Sequence, residues 1–411
     1  MKLARPLRIG ILIGAALVVT LLGVLQWPST AASPIKIGLI TDLTGMAFLL
    51  AKDNVEGAKM AVDEINKAGG VLGGRQLELV IRDSALKTDM GIAAARELVV
   101  DQKVNFLLGP VSSAVRLAIS DIAKQYKVPM IDSIGGSRRL VEDRGHDYFF
   151  ELSLTTRTEA YGQAVGMSKL KGKKMVTISP DYEWGRLEHE GFVQPFKKMR
   201  PEVEFIGEYW PKLGEKDYTP YITAMMAKNP DLIWSGLWGG DSIGFIKQAK
   251  GYGLFEKIAY MGNTDASSLH ALGADAPEGI YGWDRAPAYA IDTPAMNAFV
   301  KTYQAKNKDI PTAWTIFGYE AVQLVKWGLE KAGSDKPDAW VKAVKGATVP
   351  LLRGPITFRA FDNVSNSPVY VGRLMKDAKY PHLILKDIVK VGVEPSMISV
   401  EEVKKLREAA K

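Results

Sequence analysis

The chain contains no cysteine in 411 residues. Disulfide staples, thiolate metal sites, a cysteine nucleophile and a cysteine-borne lipid anchor are thereby excluded, and stability has to come from core burial, for which the length is ample. Histidine is scarce too. His146, His189, His270 and His382 are scattered, with no metal-ligand spacing among them. A G-x-S-x-G elbow is also missing, so no nucleophile constellation is present; the expectation is a non-enzyme without resident metal or cofactor. An excess of one charge is lacking as well. The 53 basic and 46 acidic residues leave a formal +7, and they are interspersed, as in "KKMRPEVEFIGE", which gives nucleic acid no basic stripe to bind. Past the N-terminus no apolar run approaches the length of a membrane span, and there is no low-complexity linker or short-period repeat.

What the N-terminus does have is Lys2, Arg5 and Arg8 ahead of the uncharged run "IGILIGAALVVTLLGVL" (9–25) and the small-residue segment "STAAS". This is a secretory signal pattern, with cleavage expected after Ala31 or Ala32. The run lies between the lengths of a signal h-region and a membrane span, so an uncleaved anchor is the alternative. Loss of residues 1–32 removes three positive charges and takes the formal charge from +7 to +4. The remaining ~380 residues exceed what one core normally serves, which predicts two domains.

Hydrophobic periodicity predicts their kind. "IKIGLITDL" is β-rich, and "NVEGAKMAVDEINKAGG" follows with helical spacing and a terminal Gly pair. The unit recurs as "LELVIRDS" and "MGIAAARELVVDQ", then as "FLLG" and "AVRLAISDIAKQY", then as "VPMIDS" with a loop to "DYFFEL". A second series runs from "EAYGQAVGMSKL" through "KMVTISP", "VEFIGEYW" and "DLIWSG" to "IAYMGN". Strands alternating with helices predict parallel sheets covered on both faces. After Trp283 come consecutive helices and then short strands ("GPITF", "VYVGRL", "HLILKDIVKV"), which have no series of their own and are expected to pack back onto the two α/β lobes. The C-terminal "SVEEVKKLREAAK" reads as a polar helix.

In open α/β sheets the usable crevice lies beyond the carboxyl ends of the strands. "FLLGPVSS", "VPMIDSIGGS", "VTISPDYEWG", "LIWSGLWGGD" and "YMGNTDAS" are such strand-end loops, rich in Gly, Ser, Trp and Asp. Ser112 and Ser113 stand before a helical pattern. Either serine caps that helix, or the free amides there hold an anion, since the first turn carries Arg116 and no carboxylate.

In family order, "IKIGLITDLTG", "GAKMAVDEINKAGGVLGGRQLELVIRD", "LLGPVSSA", "DLIWSGLWGGDSIGFIKQAKGYGL", "YMGNTDAS" and "GYEAVQLVKWGLEKAG" resemble the leucine/isoleucine/valine-binding protein family, the type I periplasmic solute-binding proteins of ABC importers. The resemblance covers nearly all of the mature chain. It implies an α/β, two-lobed type I periplasmic binding protein fold, each lobe a mostly parallel sheet with helices on both faces. The first lobe would comprise 33–153 plus 286–355 and the second 154–285 plus 356–411, joined by three crossovers. It also implies a monomer in the periplasm that closes on a small solute and presents it to a permease and ATPase complex at the inner membrane, with no nucleic acid involved.

The resemblance places the family's carboxylate-binding serine on Ser113, beside Ser112. The second contact loop falls on Ile134, Gly136 and Ser137, where Gly136 replaces a frequent Thr. The aromatic walls fall on Trp184 and Trp238, and the acidic partner of an ammonium group falls on Thr264 or the adjacent Asp265. Leu50 takes an aromatic's place on the first-lobe loop. The solute implied is a small carboxylate, with a branched-chain or other apolar amino acid favoured. An aromatic carboxylate, an amide or an oxyanion is the alternative, as is a sensing rather than a transport role.

Plainer roles compete for several of these residues. Trp234, inside an apolar strand, reads as core, and Asp265 equally as the N-cap of a helix starting near Ser267. Arg138 and Arg139 read as a solvated loop pair, the acids of "LEHEG" as a solvated helix face, and "GGVLGGR" as a tight turn rather than a phosphate loop.

Overall fold

The computed structural model describes residues 33–410 together with Met1. The signal segment expected over 1–32 lies, apart from Met1, outside the described residues. Strands β1 (Ile35–Thr41), β2 (Leu77–Asp83), β3 (Phe106–Leu108), β4 (Met130–Asp132) and β5 (Phe149–Glu151) form a sheet in the order β2-β1-β3-β4-β5, with every pair parallel. Strands β6 (Lys174–Ile178), β7 (Glu204–Tyr209), β8 (Leu232–Ser235), β9 (Ala259–Asn263) and β10 (Tyr281–Asp284) repeat that order in parallel. A hairpin follows, β11 (Thr348–Leu351) and β12 (Gly354–Thr357). Then β13 (Val369–Met375) and β14 (Ile384–Val391) extend the second sheet antiparallel, giving β14-β13-β10-β9-β8-β6-β7.

Alternation along the strands covers each sheet on both faces. In β1, Ile35, Ile37 and Leu39 pack into the core that holds the helices Phe48–Lys67 and Ala313–Ala332, whereas Ile40 faces the core under Ser113–Tyr126. In β8, Leu232 and Trp234 turn toward the helices Thr156–Met167 and Glu183–Met199, and Ile233 toward Gly239–Gly251. Trp234 is indeed core, and its indole donates to Gln163 Oε1 at 2.8 Å. The helices Phe48–Lys67 and Ala313–Ala332 cross closely enough that a Cβ on Gly57 would stand 1.9 Å from the Thr315 carbonyl, and one on Gly318 2.0 Å from that of Asn54. Only glycine fits at either position.

The late helices and the hairpin complete the first lobe, as Ile316, Phe317, Trp340 and Ile356 all belong to its core. Phe358 and Val364, just past the expected boundary at 355, pack there too. The C-terminal helix Val400–Ala409 reaches the first lobe through Arg407, which donates to the carbonyls of Val141 and Glu142.

Near the crossovers the backbone is stitched: Glu151 bridges to Val364, the Ser365 hydroxyl donates to Leu152 and Ser153 carbonyls, and Ser367 donates to Leu152 at 2.9 Å. Arg353, itself paired with the buried Glu320 at 2.7 Å, donates to Ser367. "GGVLGGR" is a turn closed by a Val71–Arg75 bridge.

Candidate functional site

The carboxyl ends of both sheets face one another, and an apolar cluster separate from the four sheet cores lies between them: Ala47, Leu50, Ala51, Val111, Ile134, Trp184, Trp238 and Trp314. Within it is a small cavity of ≈ 30 Å³, lined by Leu50, Val111, Ile134, Gly135, Tyr182, Trp184, Trp238, Asn263, Arg285 and Trp314. Tyr182 stacks on Trp184 at 6.3 Å, Trp184 meets Trp238 edge-on at 6.4 Å, and the Trp238 indole donates to the Tyr182 hydroxyl. The rings thus brace one another, with the plane of Trp238 turned 73° from that of Trp184.

Arg285, at the end of β10, contributes the cavity's charge. Its guanidinium lies 4.7 Å from the ring centroids of both Trp283 and Trp314, and one of its nitrogens reaches Glu159 at 2.6 Å. Its Nε has no partner among the described residues. Burial pushes the Glu159 carboxyl up to about 7 against the opposing pull of Arg285, and burial together with Glu159 pushes Glu188 up as well. Glu188 accepts from Gln163 Nε2 at 2.7 Å. The "LEHEG" acids are therefore not a uniformly solvated face: Glu188 and His189 are buried where their helix packs on Thr156–Met167, and Glu190 reaches Arg138. Arg138 likewise differs from a solvated residue, since ion pairing to Glu190 at 2.7 Å lets it be buried.

Of the residues singled out from the sequence, Leu50, Ile134, Trp184 and Trp238 line the cavity. The others stand beside it with partners of their own. Ser112 caps the helix Ser113–Tyr126, accepting from Val115 N. The anion place before that helix is in part already taken. The first turn has no carboxylate, yet Asp42 at the end of β1 supplies one, accepting from the amides of Val111 (2.9 Å) and Ser112 (3.1 Å).

The Ser113 hydroxyl and the Ser113 and Ala114 amides make no hydrogen bond among the described residues. Gly136 donates to the Leu154 carbonyl, and Ser137 donates to Glu183 Oε1 at 2.5 Å across the cleft. Thr264 donates to the Trp283 carbonyl. Asp265 is the N-cap of Ala266–Leu272, accepting from Ser268 N and Oγ, and it also accepts from the Trp314 indole at 3.3 Å. Its oxygens are thus engaged by the protein.

Sequence reading missed Val111, Gly135, Tyr182, Asn263, Arg285 and Trp314. Trp314 lies in an apolar helical run and looks like core, and Arg285 follows a strand, Tyr281–Asp284, whose glycine and aspartate break its apolar pattern.

The lobes are closed on this cavity. Besides Ser137–Glu183 and Asp265–Trp314, Asp53 of the first lobe accepts from Ser267 of the second at 2.7 Å, and Arg138 pairs with Glu190. Two parallel α/β lobes shut on a small, charge-bearing apolar cavity define a solute-binding protein. The chain belongs to the periplasmic binding protein family, whose sequence model matches residues 34–379. It is 27% identical over 353 residues to the leucine-, isoleucine-, valine-, threonine- and alanine-binding protein of Pseudomonas aeruginosa, covering 85% of this chain and 92% of the relative.

Its fold is similar to that of an ABC transporter solute-binding protein from R. palustris in complex with benzoate, with a TM-score of 0.79 and 22% identity over 88% of this chain and 97% of the other. It is also similar to a leucine-binding protein from Thermotoga maritima, with a TM-score of 0.77 and 23% identity over 86% and 98%. The family is one of solute-binding proteins of ABC-type transporters rather than of enzymes.

Proposed function

We propose that this protein captures a small apolar carboxylate without an ammonium group, foremost an aromatic acid, in the periplasm and delivers it as a monomer to a permease and ATPase complex at the inner membrane. The observation that carries this reading is the cavity lining: three tryptophans, a tyrosine and aliphatic side chains surround a single cation, Arg285, with no carboxylate among them. A guanidinium recognises a carboxylate by charge-assisted hydrogen bonds, and flat indole walls suit a planar ring. The unused amides of Ser113 and Ala114, at the positive end of a helix dipole, add a second source of attraction for negative charge.

An ammonium group finds no matching anion, because Asp265 is occupied by Ser268 and Trp314 and the aligned position is Thr264. Lobe closure follows from contacts on both sides: Leu50, Val111 and Trp314 come from the first lobe, and Trp184, Trp238 and Arg285 from the second. A solute touching both favours the closed state by its differential affinity.

A second reading, an apolar amino acid, is favoured by the nearness of Asp265 to the cavity through Trp314. Isothermal titration of the purified chain with benzoate and with leucine separates them. Saturable benzoate binding without leucine binding is expected; leucine binding without benzoate binding overturns the proposal.

A further inference from the structure

Away from the cleft's cavity, His270, His382 and Asp309 bring three ligand atoms within 4.8 Å of one another. His270 Nε2 is 3.0 Å from His382 Nδ1 and 3.0 Å from Asp309 Oδ2. The three come from separate parts of the fold. His270 is on the helix Ala266–Leu272 after β9, His382 lies between β13 and β14, and Asp309 is in the link between the helices Pro294–Asn307 and Ala313–Ala332 of the first lobe. Two ligands therefore belong to the second lobe and one to the first.

We infer that these side chains form a divalent transition-metal site of the zinc class that ties the two lobes together at their seam. In tetrahedral coordination with metal–nitrogen and metal–oxygen bonds of about 2.0–2.2 Å, neighbouring ligand atoms stand about 3.3 Å apart, close to the two 3.0 Å spacings around His270 Nε2, with the third pair inside 4.8 Å. Two imidazoles and a carboxylate are a ligand set such a metal accepts, with the fourth position left to water. Solvent reaches it, because the His270 and Asp309 side chains keep 33% and 27% of their exposure.

The convergence also calls for a cation. A single proton on His270 Nε2 satisfies one of its two partners at 3.0 Å and leaves the other facing it, whereas a metal ion accepts all three lone pairs at once. Asp309 keeps Oδ2 for this role, since Oδ1 accepts from the Ile310 amide. The remaining histidines do not compete: His146 is engaged by Ser120 and His189 by Thr177. The chain has no cysteine to bind the metal instead.

The test uses the full chain, stripped with chelator and titrated with zinc chloride in the absence of any solute. Its outcome is therefore independent of which solute the cavity takes. One equivalent is expected to bind, with His382→Ala and Asp309→Asn each weakening it by roughly tenfold or more. Asp309→Asn is isosteric and partly exposed, which guards against loss of fold, and circular dichroism checks both variants. Small-angle scattering should show a smaller radius of gyration with zinc for the parent chain and no change for His382→Ala. Absence of saturable zinc binding, or binding indifferent to both substitutions, overturns the site. Binding with an unchanged radius overturns the tie between lobes.

Discussion

Arg285 ends a strand of the second lobe, Trp314 opens a helix of the first, and the guanidinium of one lies 4.7 Å from the ring centroid of the other. This cation–π contact brings the cavity's charge into register with a wall from the opposite lobe, so under the proposed function recognition and closure share the same pair. Arg285→Gln should weaken benzoate binding by roughly ten- to a hundredfold, the loss of a charge-assisted hydrogen bond of about 1.5–3 kcal/mol. It also leaves Glu159 buried without its partner. Adding Glu159→Gln should restore the melting temperature but not the affinity, as titration and thermal unfolding of the three variants would show.

Gly136 has a steric role that side-chain chemistry does not reveal. A Cβ there would stand 1.9 Å from Arg116 Nη1, and Arg116 cannot yield because it is buried, paired with Asp132 at 2.9 Å and donating to the Gly135 carbonyl at 2.7 Å. Gly136→Ala is expected to cost about 1–3 kcal/mol in urea denaturation.

The neighbouring serines should separate in the same measurement. Ser112→Ala removes the cap on Val115 N and is expected to cost ~1 kcal/mol, whereas Ser113→Ala should change stability by less than about 0.5 kcal/mol. Equal losses would show that Ser113 shares the capping.

Acid should weaken the fold through His146. Its Nδ1 accepts from the Tyr148 amide at 3.2 Å and its Nε2 lies 2.8 Å from the Ser120 hydroxyl, an arrangement that fixes a neutral ring. Burial, helped by Lys124, lowers its pKa to about 4. The unfolded chain therefore binds the proton first. The stability contributed, at most ~3 kcal/mol, is complete above about pH 6.5 and is lost as pH falls toward 4. Melting temperatures from pH 8 to 4 should fall more steeply for the parent chain than for His146→Gln.

The alternating rhythm of apolar strands and amphipathic helices made the two parallel sheets legible in the sequence. Most strands from β1 to β9 are apolar or β-branched runs, β2 and β7 being the ones that carry more than one charged residue. Two strands were not legible: β10 is interrupted by Gly282 and ends on Asp284, and β11 contains Pro350, so neither reads as an apolar run. Half of the cavity wall was hidden for another reason. Trp184 and Trp238 stand in Gly- and Asp-rich surroundings at helix starts, the first turn of Glu183–Met199 and the cap of Gly239–Gly251, but Trp314 sits in an apolar helix, where a cavity wall and a core look alike. Glu188 and Arg138 misled because their burial depends on partners far away in sequence, Gln163 and Glu190. The three side chains at the seam, from parts of the chain far apart, obey no spacing rule.

The order in which the chain visits its two lobes affects how it can fold during synthesis. The first sheet is complete at Glu151, but the helix that covers one of its faces begins at Ala313 and the core residue Phe358 comes later still. While a ribosome makes the whole second parallel series, that face of the first sheet is covered by the helix Phe48–Lys67 alone, and the side of that helix that receives Ala313–Ala332 stays open. The first lobe is therefore the first to begin and among the last to finish, and a truncation anywhere before Phe358 yields a chain with an open core. Such a chain is prone to aggregate.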